Sequence, residues 1–311
     1  MNPAPGTTGS PLVSILCLTY NQAPFVAATL DSFLAQVTRF DVEIVVSDDC
    51  SSDGTLDILE RYRTRLGGRM QVLRSPINLG VSRNFRRALK ACRGKYIAMC
   101  EGDDFWRGQR KLQVQVDFLE AHPEFVMTYH DATIVDALGE HDTPQLPPAL
   151  QCDASSAELI ATRPISTLTV CFRNLLGDLP PELDHAPALD LCLWSLLGHH
   201  GKGKYLAGIE PAGYRVHSGG VFSMQTERNR HLMTAQSLLC LARVYARQGQ
   251  LEVSDGLLMK AIRLAGVPLG PADSIRLLGL NLVRVLVSAV RATKRLLGHG
   301  RESSNKKSPG P

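Results

Sequence analysis

Short apolar runs alternate with amphipathic stretches through residues 12–129. Val13-Ser14-Ile15-Leu16-Cys17-Leu18 and Val42-Glu43-Ile44-Val45-Val46-Ser47 read as buried strands, as do Gln71-Val72-Leu73 and residues 95–100 and 125–129. Helical spacing fills the gaps. Pro24 opens a segment with Phe25, Ala28, Leu30 and Phe33-Leu34 on one side; Asp53-Gly54 precedes another with Leu56, Leu59, Tyr62 and Leu66. Residues 82–92 form a basic helix, and 111–119 a further one stopped by His122-Pro123. Strand–helix repetition of this kind predicts an α/β fold with a mostly parallel central sheet and helices on both faces.

The second half is less regular. Residues 142–154 are Pro-rich and read as a surface excursion, 166–173 return to a strand pattern, and 189–197 read as a helix beginning around Asp190. Residues 203–217 read as a strand pair or extended stretch ending in Gly213-Tyr214-Arg215-Val216-His217. From Arg230 the pattern is helical, with segments 235–248 and 251–264 split by Gly249-Gln250. A hairpin packed on the main domain is favoured over a tetratricopeptide unit, because such repeats need neighbours to bury their faces. The expected organisation is a disordered N-terminus (1–11), an α/β domain (12–224), a C-terminal α-helical region (225–300) and a disordered tail (301–311).

Within that last helical region no acidic residue lies between Asp273 and Glu302. At helical spacing Arg276, Arg284, Arg291, Lys294 and Arg295 fall on one side, and Ile275, Leu278, Leu282, Val285 and Leu286 occupy the rest. Segment 273–300 fits either an anionic membrane surface or packing against the main domain or a partner subunit.

Composition narrows the class. Among 311 residues, 44% hydrophobic and 21% charged, the balance excludes global disorder, and a net charge of +4 gives no case for nucleic acid. Met1–Pro11 shows no secretory signal, and no apolar run reaches bilayer length. The eight cysteines include no Cys-x-x-Cys pair and fit reduced, packed thiols. A cytoplasmic location follows, with peripheral attachment to the inner face of the cell membrane if segment 273–300 binds there.

The chemistry concentrates at two strand ends. Asp48-Asp49 follows one strand, and Glu101-Gly102-Asp103-Asp104 follows another. Crowded carboxylates resist burial without compensation, and such oxygen-rich groups suit a hard divalent ion and the diphosphate it binds. In open α/β sheets ligands gather at carboxyl strand ends. No Gly-x-Gly-x-x-Gly occurs, which disfavours a dinucleotide dehydrogenase. Thr19-Tyr20-Asn21-Gln22 is no Gly-rich basic phosphate loop, which disfavours a nucleotidyltransferase.

Four segments together resemble family 2 glycosyltransferases: Val13-Ser14-Ile15 to Thr19-Tyr20-Asn21, residues 43–55 with Ser47-Asp48-Asp49 and Asp53-Gly54-Thr55, Asn78-Leu79-Gly80, and Tyr96-Ile97 to Glu101-Gly102-Asp103-Asp104-Phe105-Trp106. The resemblance covers about 12–222. It implies a GT-A fold and transfer of a sugar, with inversion, from a nucleoside diphosphate donor to a saccharide or lipid-linked acceptor in cell-envelope polysaccharide synthesis. Thr19, Tyr20, Asn21 and Asp49 match positions holding base and ribose, Asn78 is grouped with them, and Asp48 either joins them or caps its loop. A carboxylate there can accept a uracil or thymine imide N–H, which favours UDP- or TDP-sugars.

Glu101-Gly102-Asp103 stands in the place of the family's Asp-x-Asp signature, with Glu replacing the first Asp. Asp103 is thereby expected to bind Mn²⁺ or Mg²⁺, with Glu101 and Gly102 against the donor and Asp104 in support. His217 matches a late histidine that completes the metal shell in related enzymes. Asp190 is the expected base, with Asp184 in reserve, and Arg215 and Arg83 are candidates to face the diphosphate. The alternative is a catalytically inactive sugar-nucleotide or saccharide-binding protein on the same fold.

Overall fold

A computed structural model describes residues 10–136 and 138–266 of the chain. Strands β1 (Val13–Thr19), β2 (Val42–Asp48), β3 (Met70–Arg74), β4 (Tyr96–Met99) and β5 (Phe125–Tyr129) alternate with helices α1 (Val26–Leu34), α2 (Thr55–Leu66), α3 (Val81–Ala91) and α4 (Lys111–Ala121). A smaller sheet takes β6 (Ala132–Asp136), β7 (Gly139–Pro144) and the late strand β10 (Ala212–Arg215). Strands β8 (Cys171–Arg173) and β9 (Lys202–Tyr205) complete the large sheet, in the order β3-β2-β1-β4-β8-β5-β9. Every neighbouring pair in it is parallel except those of β8, which runs antiparallel to β4 and β5.

Successive residues of a strand face opposite sides, and the core divides accordingly. Leu16, Val45, Ile97 and Met99 join Phe85 and Trp194 on one side; Ile15, Cys17, Ile44, Val46 and Ala98 join Leu30, Leu59 and Leu112 on the other. Helices α5 (Ser156–Ile160) and α6 (Leu189–Leu197) belong to the first side. So does the hairpin of α7 (Glu227–Arg247) and α8 (Leu251–Leu264), through Leu238, Leu241, Tyr245 and Leu257. The hairpin thus shares the core of that side of the sheet.

Three local expectations change. Residues 203–217 do not pair: β9 joins β5 at the edge of the large sheet, and the bend at 206–211 carries the chain across so that β10 runs parallel to β6 in the small one. The Pro-rich stretch is not a loose excursion, because β7 pairs antiparallel with β6 and Leu146 and Ala154 are buried beyond it. Only the end of 166–173 is a strand. Thr167–Thr169 forms a turn of 3-10 helix, held where the Trp106 indole N–H donates to the Leu168 carbonyl and Gln115 to that of Thr169.

Segment 273–300 with its expected membrane contact, the tail 301–311 and residues 1–9 lie outside the described residues. No described helix is long and apolar enough to cross a membrane. All eight cysteines are free thiols.

Candidate active site

Strands β1, β2 and β4 run side by side in the same direction, so their carboxyl ends deliver three loops to one edge. Two of these loops lock together through residues expected to touch the donor. The Thr19 hydroxyl donates to Asp48 Oδ1 at 2.9 Å, and the Asp49 amide donates to the Thr19 carbonyl at 2.9 Å. Ser51 adds its amide and hydroxyl to the Asp48 carboxylate. Thr19 and Asp48 are 2% and 0% exposed, and their side chains support the floor of the site.

Asp49 is engaged too. Its two oxygens accept the amides of Leu79 and Gly80 at 2.7 and 2.9 Å, while Asn78 Oδ1 accepts the Gly80 amide at 3.0 Å. The Asn-Leu-Gly turn is thereby clamped to the end of β2. Asn21 adopts a left-handed backbone (φ 52°), and its side-chain oxygen accepts the Ser52 amide. Tyr20 is 46% exposed and remains open for a ligand.

The acidic loop after β4 is held from below and from the side. Thr29 of α1 donates to the carbonyls of Gly102 and Asp104. Gly102 is tightly enclosed: a Cβ there would lie 2.5 Å from Gln22 Oε1 and 2.6 Å from the Thr19 methyl. Phe105 exchanges backbone hydrogen bonds with Gly213, joining the loop to β10. Arg215 then donates its amide to Asp104 Oδ1 (2.8 Å) and its guanidinium to the Asp103 carbonyl (2.6 Å), with its guanidinium carbon 4.3 Å from the Phe105 ring centre. The same turn brings His217 Nε2 to 3.0 Å from Asp103 Oδ2, with these side chains 16% and 18% exposed. Phe25 backs the imidazole, ring centres 4.4 Å apart.

Burial and mutual repulsion govern the carboxyls. Burial, then Asp103, then Asp190 push Glu101 up to about 8. Asp104 is raised well above its ordinary range by burial, Asp103 and Glu101, against the opposing Arg215 amide. Asp190, in the first turn of α6, is pushed up to about 6 by burial. The charge of Asp190 is felt at Glu101, so the start of α6 lies within electrostatic reach of the acidic loop.

Asp103 and His217 offer oxygen and nitrogen donors suited to Mn²⁺ or Mg²⁺. Among the described residues no three His, Cys, Asp or Glu side chains are gathered into a ligand set. The Asp103–His217 pair is what the acidic loop and the turn after β10 together offer toward such an ion.

Two candidates fall elsewhere. Asp184 accepts from Arg86 Nε at 3.0 Å and Nη2 at 2.5 Å, and Arg83 approaches it at 3.8 Å. Asp184 is thus taken up in an ion pair with Arg86, and Arg83 faces the same carboxylate. Sequence reasoning also missed supports with no local signature. Arg87 spans the carbonyls of Asp48 and Leu73 and the hydroxyl of Ser47. Ser237 of α7 accepts the Ala188 amide at 2.8 Å, fixing the residue before α6. Only tertiary packing reveals these contacts.

The glycosyl transferase family 2 model matches residues 14–153. Uncharacterized protein Rv1520 of Mycobacterium tuberculosis is 34% identical over 222 residues, 70% of this chain and 63% of the relative, so the chain spans less than two thirds of that relative's length. The Escherichia coli UDP-Glc:alpha-D-GlcNAc-diphosphoundecaprenol beta-1,3-glucosyltransferase WfaP is 32% identical over 114 residues, 37% of this chain and 43% of the relative. Among solved structures, Staphylococcus aureus TarS 1–349 with UDP-GlcNAc aligns at a TM-score of 0.59 and 19% identity, covering 81% of this chain and 72% of that one. The Pyrobaculum calidifontis mannosyltransferase with GDP-Man and Mn²⁺ aligns at 0.53 and 18%, covering 90% and 83%. The fold shared with these two enzymes is GT-A.

Proposed function

We propose, from the premise that this chain belongs to glycosyl transferase family 2 through residues 14–153, that it is an inverting, metal-dependent glycosyltransferase. It moves a sugar from a nucleoside diphosphate donor, UDP or TDP favoured, to a lipid-linked or other saccharide acceptor of the cell envelope. The observation that carries this reading is the contact of His217 with Asp103 in the acidic loop beyond the carboxyl ends of parallel strands, with Asp190 within electrostatic reach of Glu101 in that loop. The WfaP name supports a UDP donor and a lipid diphosphate acceptor, and the Pyrobaculum enzyme supports Mn²⁺.

In this reading Tyr20 and Asn21 line the nucleoside side, on a floor set by Thr19, Asp48 and Asp49. Mn²⁺ or Mg²⁺ held by Asp103 and His217 supplies Lewis-acid neutralisation of the diphosphate charge. Asp190 takes the proton of the acceptor hydroxyl as its oxygen bonds to the anomeric carbon, while the bond to the diphosphate oxygen breaks and that electron pair leaves with the nucleotide. A carboxyl poised near 6 is ionised at neutral pH yet basic enough for this role.

Thermal stabilisation by UDP-, TDP- and GDP-sugars, with and without Mn²⁺, tests the reading on the wild type and Asp103→Ala. A shift that needs metal and vanishes in Asp103→Ala supports it and identifies the base. No shift with any donor, on folded protein, overturns it. Donor binding without turnover over a panel of acceptors leaves the inactive binding protein as the better reading.

A further inference from the structure

Beyond His217 the chain folds back on itself before α7. The Gly219 amide donates to His217 Nδ1 at 3.2 Å, that of Gly220 to the His217 carbonyl at 2.9 Å, and that of Gln225 to the Phe222 carbonyl at 3.2 Å. Turn 217–225 is thus anchored on the residue that faces Asp103, at the rim of the candidate site.

Polar residues ordinarily occupy such a turn, yet Val221, Phe222 and Met224 are 58%, 39% and 51% exposed here. Helix α7 follows at once. Its sole acid is Glu227, while Arg228, Arg230 and His231 crowd its first turns and Leu232 is 43% exposed. At helical spacing Arg228, Leu232, Leu239 and Arg243 continue along the outer side, opposite the buried Leu238 and Leu241.

We infer that turn 217–225 and the outer face of α7 form a docking lip for an anionic phospholipid surface. The inference deepens the transferase reading above and rests on it for its purpose, which is to bring a lipid-linked acceptor to the site. Phosphate headgroups match Arg228 and Arg243, and the apolar tip of the turn enters the boundary between headgroups and acyl chains. The sign of the charge selects this occupant: α7 offers cations and apolar side chains together, on the side away from the core.

The test is flotation of the full-length protein, without donor or acceptor, with vesicles of phosphatidylcholine alone or mixed with phosphatidylglycerol. The wild type is expected to float with the anionic vesicles and to be released by salt. Arg228→Glu with Arg243→Glu should lower that partition about tenfold or more, and Phe222→Ser with Met224→Ser should lower it comparably. Both variants should keep the wild-type melting temperature and the donor-induced shift. Arg284→Glu with Arg291→Glu, in the other basic segment, serves as comparison. Wild-type flotation by both lip variants, loss confined to the Arg284/Arg291 variant, equal binding to neutral vesicles, or no binding each overturn the lip. The donor shift, read on the same preparations, tests the transferase reading separately.

Discussion

The imidazole of His217 meets the carboxylate of Asp103 at 3.0 Å across 114 residues of sequence. This contact closes the candidate site, tying the loop after β4 to the turn after β10, and Phe25 at the start of α1 fixes the ring from behind. If the pair holds the ion, His217→Ala should weaken Mn²⁺ binding at least about tenfold, and Asp103→Ala should abolish it. Phe25→Leu should weaken it less. Titration of the donor-free protein by Mn²⁺ electron paramagnetic resonance decides, and unchanged affinity in His217→Ala would exclude the histidine as a ligand.

The Asp190 carboxyl titrates near 6 in the fold, above its ordinary 3.8. Turnover should therefore fall about tenfold per pH unit below 6 as the proton occupies the base. The raised value means the native state binds that proton more tightly than the unfolded chain. Ionisation then costs stability as pH rises from about 4 through 6, and the cost persists above. Asp190→Asn should lower turnover roughly 10²- to 10⁴-fold while raising the melting temperature at pH 8, an advantage that fades below pH 4. Unchanged turnover would remove Asp190 from the base role.

Two glycines hold the acidic loop in place by lacking a side chain. Gly102→Ala would press on Gln22 and Thr19, and Gly213→Ala would place a Cβ 2.3 Å from the Phe105 ring. Each should cost about 1–3 kcal/mol. Phe105→Leu should recover part of the loss in the Gly213→Ala background but none in Gly102→Ala. Denaturant midpoints of the four chains measure this.

Asp49→Asn replaces one acceptor oxygen with an amide that faces the Leu79 or Gly80 N–H. One backbone donor loses its partner, at a cost of about 1–3 kcal/mol. Urea unfolding should show that loss, with weaker donor stabilisation because the Asn-Leu-Gly turn is released. A stability equal to wild type would mean the clamp is dispensable.

Ser237→Ala removes the acceptor of the Ala188 amide and loosens the start of α6. Turnover should drop several-fold while the donor KM holds, since Ser237 lies with the base and away from the nucleotide loops. Ser237→Thr, which keeps the hydroxyl, should restore it. Equal losses in kcat and donor KM would point to general damage instead.

The alternation of apolar runs and amphipathic segments specified the parallel sheet, because strand and helix periods differ and are written into local spacing. Glycine placement and acidic clustering marked the loops at the carboxyl ends, because those constraints act within a few residues. The linear pattern was silent on which carboxylates face a ligand. Asp48 and Asp49 look alike as neighbours, and both are engaged by partners from other loops; Asp184 and Asp190 both lie in first helical turns, and the packing gives the one to Arg86 and buries the other. The split of 203–217 between two sheets was equally hidden, since an edge pairing depends on which strand lies alongside. Local propensity thus determined the elements, and long-range packing decided the closure of His217 on Asp103, the raised Asp190 and the apolar lip beside them, because burial and charge proximity arise only when distant segments meet.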